Sequence, residues 1–361
     1  MKTSKYILSI ILSSVVSVTF AGNKERIGQA GASELLINPW ARSTGFGGAN
    51  TAYVNGVEAM NLNIAGLSAV NKTELYYSNV ALFSGAGISM NSLAFGQRVG
   101  EQSVFGLAVT SMSFGDIPIT TTNNPSGGQG TFSPQFLNLA ISYARSFSKS
   151  IHAGGSIRIV SESISNASSQ GVSLDAGIRY ITGDYDRLKF GIALRNVGPK
   201  MTYTGDGFAT VVLLQDAEFT VNQRTEAFEM PALLNIGASY DLYLMGAVEP
   251  ENASDDWRPS DYRLTIAGNF TSNSFSPDQF RLGAEFGFKK YIAVRAGLVY
   301  ESDVFTTLES GRLTANSGPT VGMSLMLPTK TSDDSGFSLD YGYRFSNPLG
   351  GTHTVGLRMN L

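Results

Sequence analysis

Several features of ordinary soluble enzymes are absent or scarce in this 361-residue sequence. It contains no cysteine, which excludes disulfide bonds and thiolate metal sites. Only two histidines occur, His152 and His353, and they form no HExxH-type pair. Charged residues make up 15% of the chain, and the formal net charge is −3. This balance gives no reason to expect nucleic acid or another polyanion as a partner.

Long hydrophobic runs are also missing, with one exception at the start of the chain. Two lysines precede an apolar run over residues 6–20, and small residues follow it. This order is typical of a secretory signal peptide, and the run is shorter than the roughly 20 residues of a membrane-spanning helix. We expect residues 1–21 to be a signal peptide that is cleaved after Ala21.

Glycine and aromatic residues are plentiful instead. The chain has 40 glycines, 21 phenylalanines and 15 tyrosines. Glycine is a poor helix former, whereas aromatic residues favour strands and membrane interfaces. An exported, strand-rich chain without hydrophobic helices predicts a β-barrel located in the outer membrane and in contact with its lipid.

Apolar and polar residues alternate along most of the chain, which supports this fold class. The segment that runs to the C-terminus has an apolar face made of Val355, Leu357, Met359 and Leu361. A period of two with one apolar face is expected of a strand between lipid and a polar lumen. A final strand of this kind suits a closed barrel, in which the last strand pairs with the first.

About fourteen such segments have the length of a tilted spanning strand. Their predicted starts lie near Thr73, Ser89, Ser103, Gln135, Ile151, Gly171, Arg187, Pro231, Tyr262, Gln279, Ile292, Gly318, Gly336 and Thr352. An even count is expected when both ends of the barrel lie in the periplasm. If the first strand runs outward, most short turns then lie in the periplasm, and the long connections 115–134, 198–230 and 302–317 lie outside. The connection 244–260 is long yet falls on the periplasmic side. Either it is a genuine excursion, or the count is wrong by one strand nearby.

Residues 22–71 precede the first strand and lack clean alternation. They contain Trp40, Phe46 and several aliphatic residues, and are therefore too apolar for a solvated tail. We predict that they form a plug inside the lumen. The predicted organisation is an all-β, transmembrane outer-membrane β-barrel of about 14 antiparallel strands over residues 72–361, preceded by the signal peptide (1–21) and the plug (22–71).

The predicted plug carries two motifs. The first is Leu35-Leu-Ile-Asn-Pro-Trp-Ala-Arg-Ser-Thr-Gly-Phe-Gly-Gly-Ala49, and the second is Asn63-Ile-Ala-Gly-Leu67. They resemble the N-terminal region of FadL-like barrels, and the first motif is most similar to the PorV/PorQ branch, which is associated with type IX secretion. The candidate plug residues are Gly45, Gly47, Gly48, Asn63, Ala65 and Gly66. Ile64 stands where the family usually has proline, so we expect a looser turn there.

The resemblance implies a non-enzymatic accessory of type IX protein secretion. Such a protein would engage the C-terminal signal domains of secreted proteins, or dock on translocon or attachment components. The alternative is a FadL-like channel for hydrophobic small molecules such as long-chain fatty acids, with a lipid or fatty acid in the lumen. An outer-membrane enzyme is the third and weakest hypothesis.

No catalytic, metal-binding or cofactor-binding residue is predicted. The Gly45-x-Gly47-Gly48 cluster lacks the strand, helix and Gly-Lys-Ser/Thr ending of a phosphate-binding loop. No Gly-x-Ser-x-Gly elbow occurs, and neither histidine has a catalytic context. The acid pairs Asp255-Asp256 and Asp333-Asp334 lie in predicted turns, where we expect solvated side chains.

Charged residues at inward positions of the predicted strands form a candidate lattice in the lumen. The residues chosen are Arg158, Arg195, Arg263, Arg281, Glu285, Arg295, Asp340 and Arg344. Charges of this kind are costly beside lipid, so they must face water, acids or the plug. They hold the plug by salt bridges, or they attract an anionic ligand such as a fatty acid carboxylate or a lipid phosphate.

The long connection 198–230 mixes polar residues with Val211, Leu213 and Phe219. An apolar patch in an exposed loop often marks a partner surface. The equally favoured alternative is that this loop packs on itself over the barrel mouth.

Overall fold

The structure, a computed structural model, describes residues 24–214, 217–244, 260–289, 291–301, 317–329, 335–346 and 349–361. The expected signal peptide and the acid pairs Asp255-Asp256 and Asp333-Asp334 lie outside these ranges. Most of the connection 302–317 does so too.

Strands dominate the described ranges. In chain order they are β1 (Thr73–Leu82), β2 (Ile88–Arg98), β3 (Ser103–Ser113), β4 (Ile117–Pro118), β5 (Thr131–Phe132), β6 (Gln135–Ser146), β7 (Ile151–Ile164), β8 (Ala167–Thr182), β9 (Leu188–Val197), β10 (Ala209–Leu214), β11 (Ala217–Asn222), β12 (Leu233–Leu244), β13 (Tyr262–Asn273), β14 (Gln279–Phe288), β15 (Ile292–Glu301), β16 (Gly318–Pro328), β17 (Gly336–Arg344) and β18 (Thr352–Asn360).

Fourteen of these strands form one closed antiparallel barrel in the order β1-β18-β17-β16-β15-β14-β13-β12-β9-β8-β7-β6-β3-β2. The seam joins β1 to β18, from Glu74 opposite Asn360 to Ala81 opposite His353. The pairing that the C-terminal alternation predicted is therefore confirmed. Closure leaves no unpaired backbone edge to face lipid.

Side chains alternate between the two faces of the wall. In β18, Val355 is 46% exposed and Leu357 is 52% exposed, whereas Thr354 between them is buried. The exposed face is the apolar one, as a wall facing lipid requires. Within the described ranges, no helix is long and apolar enough to cross a membrane.

Ten of the fourteen predicted strand starts coincide with the observed ones. The largest difference is in β8, which begins at Ala167 and not near Gly171. The cause is a tight turn. Ser165 has a positive φ of 54°, so β7 and β8 stay paired as far as Ile164 opposite Ala167.

The two ends of the barrel differ. The end that holds Thr73 and Leu361, here called the turn end, has most of the short connections. The opposite end, here called the loop end, has the long segments between β3 and β6 and between β9 and β12. β12 pairs directly with β13, from Leu233 opposite Asn273 to Leu244 opposite Tyr262. The strand count is therefore right, and Leu244 and Tyr262, which flank residues 245–259, both lie at the turn end.

Two small hairpins lie outside the barrel. β4 pairs with β5, and β10 pairs with β11. The β10–β11 hairpin exposes apolar side chains, with Val211 60% and Leu213 67% exposed. The base of the same connection is packed instead, because Met201 and Met230 are buried against the N-terminal part of the chain. The two alternatives for this loop therefore apply to different parts of it, and partner binding by the hairpin stays a prediction.

The helices are short. Helix α1 covers Ala41–Gly45. The 3-10 helices are Lys24–Arg26, Ser33–Leu36, Val57–Asn61, Ile64–Ala69, Asp184–Asp186 and Asp206–Phe208. All but the last two lie in residues 24–71, the part of the chain that contacts the inner face of the wall.

Candidate functional site in the barrel interior

Residues 31–70, here called the inner segment, contact strands around the whole barrel. Helix α1 contacts β15–β18, residues 57–61 contact β1–β3, and residues 64–69 contact β6–β8. Most side chains of the inner segment are buried, with Trp40 and Leu67 each 0% exposed. Trp40 stacks on Tyr76 of β1, with ring centroids 4.8 Å apart and planes 18° apart.

Glycines in the wall allow the inner segment to approach this closely. A Cβ placed on any of ten inward glycines would lie within 3.1 Å of an atom of the inner segment. These glycines are Gly96, Gly106, Gly154, Gly177, Gly191, Gly237, Gly283, Gly297, Gly322 and Gly342. They form a belt, with several of them directly opposite each other on neighbouring strands, such as Gly283 and Gly297.

The glycines of the first motif supply the other half of this contact. A Cβ on Gly45 would lie 2.7 Å from the Gly322 Cα. Gly47 and Gly48 have φ values of 69° and 67°, a region that strains other residues. These three candidate residues therefore have a structural reason to be glycine.

The second motif forms a capped turn. The Asn63 side chain accepts a hydrogen bond from the Ala65 N–H (3.2 Å) and donates to the carbonyls of Thr51 (2.9 Å) and Ile178 (3.2 Å). Ala65 is completely buried. A Cβ on Gly66 would lie 2.2 Å from the Val54 carbonyl oxygen. These contacts hold the turn that contains Ile64.

The predicted charge lattice divides into groups. In the first group, the Glu285 carboxylate accepts from Arg263 (2.6 Å), Arg295 (2.5 Å) and the Tyr53 hydroxyl (2.6 Å). Arg295 also donates to the Ser324 hydroxyl, which in turn donates to Asp340. Because Tyr53 belongs to the inner segment, this group joins the segment to β13–β17.

The second group is an excess of positive charge nearer the loop end. Arg195 of β9, Arg281 of β14 and Arg344 of β17 lie close enough for the charges of Arg195 and Arg344 to act on Arg281. Glu301 acts on Arg281 and Asp175 on Arg195 from the acidic side, and Arg281 donates to the Gln279 side-chain carbonyl (2.7 Å). Arg195 also donates to the Leu35 carbonyl of the inner segment (3.4 Å). In the part of the chain that the structure describes, the Nε atoms of Arg195 and Arg281 are buried without a hydrogen-bond partner. We call this group the arginine trio.

The remaining predicted residue, Arg158, pairs with Asp175 (3.0 Å) and donates to the Met60 carbonyl (3.2 Å). Asp175 also accepts from the Asn196 N–H (2.7 Å) at a bulge between β8 and β9, where the register shifts. The irregular part of the wall is therefore tied to the inner segment through Arg158.

Sequence reasoning missed several polar residues of the interior. Asp241 of β12 binds Lys189 (2.5 Å), and Arg42 lies 4.0 Å from Glu58 within the inner segment. Burial raises the pKa of Glu58 in spite of this arginine. Asp241 stands at an inward strand position, so alternation could have identified it. Arg42, Tyr53 and Glu58 lie outside any strand, where no periodic signal exists.

A cavity of about 490 Å³ lies at the turn end, between the inner segment and β1 and β13–β18. Its charged lining is mostly basic, with Arg42, Lys72, Arg263, Lys289, Arg295 and Arg358 against Glu74 and Glu285. On the side of β1–β3 and β6, the loop end is apolar instead. There Val80, Leu82, Met90 and Met112 are buried, and Phe114 packs edge-on against Phe136 with ring centroids 5.0 Å apart. The interior thus has an apolar mouth at the loop end and a basic cavity at the turn end.

The two histidines occupy wall positions. The Nδ1 atom of His152 contacts the hydroxyls of Ser68 (3.1 Å) and Ser146 (2.9 Å), while its Nε2 is buried without a partner, so no acid orients the ring as in a catalytic triad. The Nδ1 atom of His353 contacts the Tyr341 hydroxyl (2.9 Å). Among the described residues, no group of three or more acidic, histidine or cysteine side chains could hold a metal ion.

The glycine belt gives a first prediction. In Gly283→Val the new side chain would collide with Phe46, which lies 2.6 Å from the Cβ position. We expect a loss of roughly 1–3 kcal/mol in the free energy of unfolding from overpacking. Gly287→Val is the matched control, because this glycine is on the same strand and face but 3.8 Å from its nearest neighbour. Guanidinium unfolding in detergent compares them, and equal midpoints would contradict close packing of the segment.

The first charge group gives a second prediction. Glu285→Gln leaves Arg263 and Arg295 without their shared carboxylate, and Glu285 is 1% exposed. We expect the free energy of unfolding to fall by about 3–5 kcal/mol, the range found when one partner of a buried ion pair is removed. Asp261→Asn is the control, because its pair with Lys289 is exposed (3.8 Å) and worth about 0–1 kcal/mol. Guanidinium unfolding in detergent compares the two variants. Similar losses of unfolding free energy in both would refute the role of Glu285 as the shared partner of Arg263 and Arg295.

Comparisons with known proteins place this geometry within one fold. The structure is similar to the Ralstonia pickettii toluene transporter TbuX, with a TM-score of 0.54 and 13% identity over 90% of this chain and 98% of that one. It is also similar to the Pseudomonas putida toluene transporter TodX, with a TM-score of 0.52 and 13% identity over 94% and 99% of the two chains. No family model and no curated protein sequence matches. The chain therefore shares the barrel fold of these two transporters, as the sequence resemblance led us to expect, while no comparison shows the PorV/PorQ branch.

Proposed function

We propose that this protein is an outer-membrane channel for hydrophobic small molecules that carry an anionic group, with long-chain fatty acids as the type of ligand. The observation that carries the proposal is the position of the arginine trio in a barrel whose mouth is apolar. The fold supports it, because TbuX and TodX are toluene transporters. The secretion role has no such support from the comparisons.

The apolar mouth is suited to bind a hydrocarbon chain. Phe83, Phe114 and Phe136 are only partly buried and pack on the buried cluster of Val80, Leu82, Met90 and Met112. Apolar ligand sites are lined in this way, with a few polar groups that set orientation. Ile37 of the inner segment packs against the same cluster, so a ligand bound there would contact the segment directly.

The arginine trio provides the polar groups. Guanidinium groups bind carboxylates and phosphates through paired N–H donors. The buried Nε donors of Arg195 and Arg281, which have no partner among the described residues, are costly unless an anion accepts from them. A fatty acid carboxylate would do so, whereas toluene carries no charge.

We propose that residues 22–71 act as the plug and hold the interior closed. Support comes from the contacts around the whole wall, from the glycine belt and from the hydrogen bonds of Tyr53 and Asn63. Passage of a ligand then requires part of the inner segment to move. The basic cavity at the turn end provides space next to the segment on that side. We also propose that the protein is exported, that its signal peptide is cleaved after Ala21, and that it is located in the outer membrane.

The third prediction tests the ligand class. In a bacterial host that lacks its own channel of this type, we expect the protein to increase uptake of labelled oleate. Arg281→Gln should lower oleate uptake several-fold and leave toluene uptake unchanged, because only oleate needs the arginine trio. Arg224→Gln, an exposed arginine in the loop between β9 and β12, is the control. Equal effects on both ligands, or no uptake above the empty host, would reject the proposal.

A role in type IX secretion is the second candidate, and the exposed β10–β11 hairpin favours it. Val211, Leu213 and Phe219 project into solvent from a two-stranded ribbon whose outer edges are unpaired. Such a ribbon could accept a strand from a protein partner.

The fourth prediction concerns this second candidate. Affinity purification from native membranes should recover secretion components or C-terminal signal domains with the wild-type protein, and less with Leu213→Ser. Thr220→Ser on the opposite strand is the control. Recovery of a bound fatty acid without a protein partner would exclude the secretion role and support the channel.

A further inference from the structure

Two glutamates meet in the interior at the loop end. Glu34 belongs to the inner segment and Glu162 to β7, and each is only 3% exposed. The two carboxyl groups are close enough to interact directly, and both oxygens of Glu34 are without a hydrogen-bond partner. Two buried carboxylates in contact repel each other unless a proton or a cation lies between them.

Other oxygens without partners surround this pair. Asn138 of β6 is 5% exposed, its side chain lies against the Glu34 carboxyl, and its Oδ1 has no partner. Ser169 of β8, directly opposite Glu162, is 2% exposed and its hydroxyl also has no partner. A shared proton would join only the two carboxyl groups by a hydrogen bond. A cation could be coordinated by oxygens of all four side chains.

The local charges favour a cation. In the described part of the chain, no lysine, arginine or histidine lies within ion-pair distance of Glu34 or Glu162. The adjacent arginines have other contacts, since Arg158 pairs with Asp175 and Arg195 donates to the Leu35 carbonyl. The described residues therefore offer this pair no protein counter-charge.

We propose that Glu34, Glu162 and Asn138, with the Ser169 hydroxyl, form a binding site for one divalent cation, with Ca²⁺ as the ion best suited to it. All the donors are oxygens, two are carboxylates and two are neutral, which is the mixture that Ca²⁺ accepts in irregular geometry. The ion offsets both charges and gives the unpartnered oxygens a common ligand. This proposal is independent of the channel function.

The site joins three parts of the molecule. Besides the inner segment and the wall, it includes the base of the connection between β9 and β12, because the Tyr203 hydroxyl donates to Glu162. This base is bound to β8 by the paired hydrogen bonds of Ser168 and Thr204 (2.8 and 2.9 Å). A bound cation would therefore hold the segment and the loop base to the wall at the mouth.

Protons compete with the cation at this site. Burial, followed by the charge of Glu162, raises the pKa of Glu34 to about 8. The titratable groups that face Glu34 are Glu162 and Tyr203, while β6 and β8 contribute Asn138 and Ser169. Cation binding requires deprotonated carboxylates, so protonation of the pair opposes it.

The fifth prediction uses the full mature chain folded in detergent and titrated with CaCl₂ by calorimetry. We expect one saturable site with a Kd on the order of 0.1–1 mM, as in extracellular calcium modules. Glu34→Gln and Glu162→Gln should each abolish the binding. Glu25→Gln, an exposed glutamate on the same part of the chain, should leave it unchanged. Heat-modifiable gel mobility verifies that each variant has folded.

Asn138→Asp separates a cation from a shared proton. It adds a third carboxylate, so a cation site should bind Ca²⁺ several-fold more tightly, and Ca²⁺ should raise the Tm of the variant more than that of the wild type. If a proton holds the pair, the variant is only destabilised and CaCl₂ changes nothing. Absence of saturable binding in the wild type, or equal binding in Glu34→Gln, would overturn the proposal.

Discussion

The rest of the structure depends on the requirement that a sheet facing lipid leaves no backbone edge unpaired. Closing fourteen strands satisfies this requirement, but it creates an interior too wide for the wall side chains to fill. Residues 31–70 contact the inward glycines of this wall. Because that part has irregular backbone, its polar groups must find partners inside the barrel. The wall supplies hydrogen-bond partners to this part of the chain. Examples are the partners of the capped turn at Asn63, of the Tyr53 hydroxyl and of the Leu35 and Met60 carbonyls.

Close approach and buried charge follow from this arrangement. Glycine at ten wall positions brings the backbone of the inner segment near that of the strands. Arginine side chains of the wall then reach backbone carbonyl groups of the inner segment, which shorter side chains could not reach. The charges form separate groups, with Glu285 shared by two arginines near the turn end and the arginine trio near the loop end. The proposed ligand site is thus separate from the salt bridges of Glu285.

The sequence predicted the wall better than the interior. Alternation with a period of two is a strong signal over nine or more residues, so the starts of strands such as β13 and β14 were predicted to the residue. Turns are weaker signals, and the extension of β8 to Ala167 depends on the single backbone conformation of Ser165. Contacts such as Glu34 with Glu162 join residues far apart in the chain, and no local pattern indicates which inward acid a segment residue will meet. The arginines were identified as inward, but their division into groups follows from the barrel geometry alone.

The stacking of Trp40 on Tyr76 has a consequence for how the protein assembles. Tyr76 lies on β1, which forms the seam with β18, the pairing with the greatest separation along the chain. Contacts between such distant residues form slowly, because the loop entropy must be overcome first. Since β1 follows the inner segment directly, the segment and the first strand can pack as a local unit long before β18 arrives. The last strand then closes the wall around a segment that is already in place.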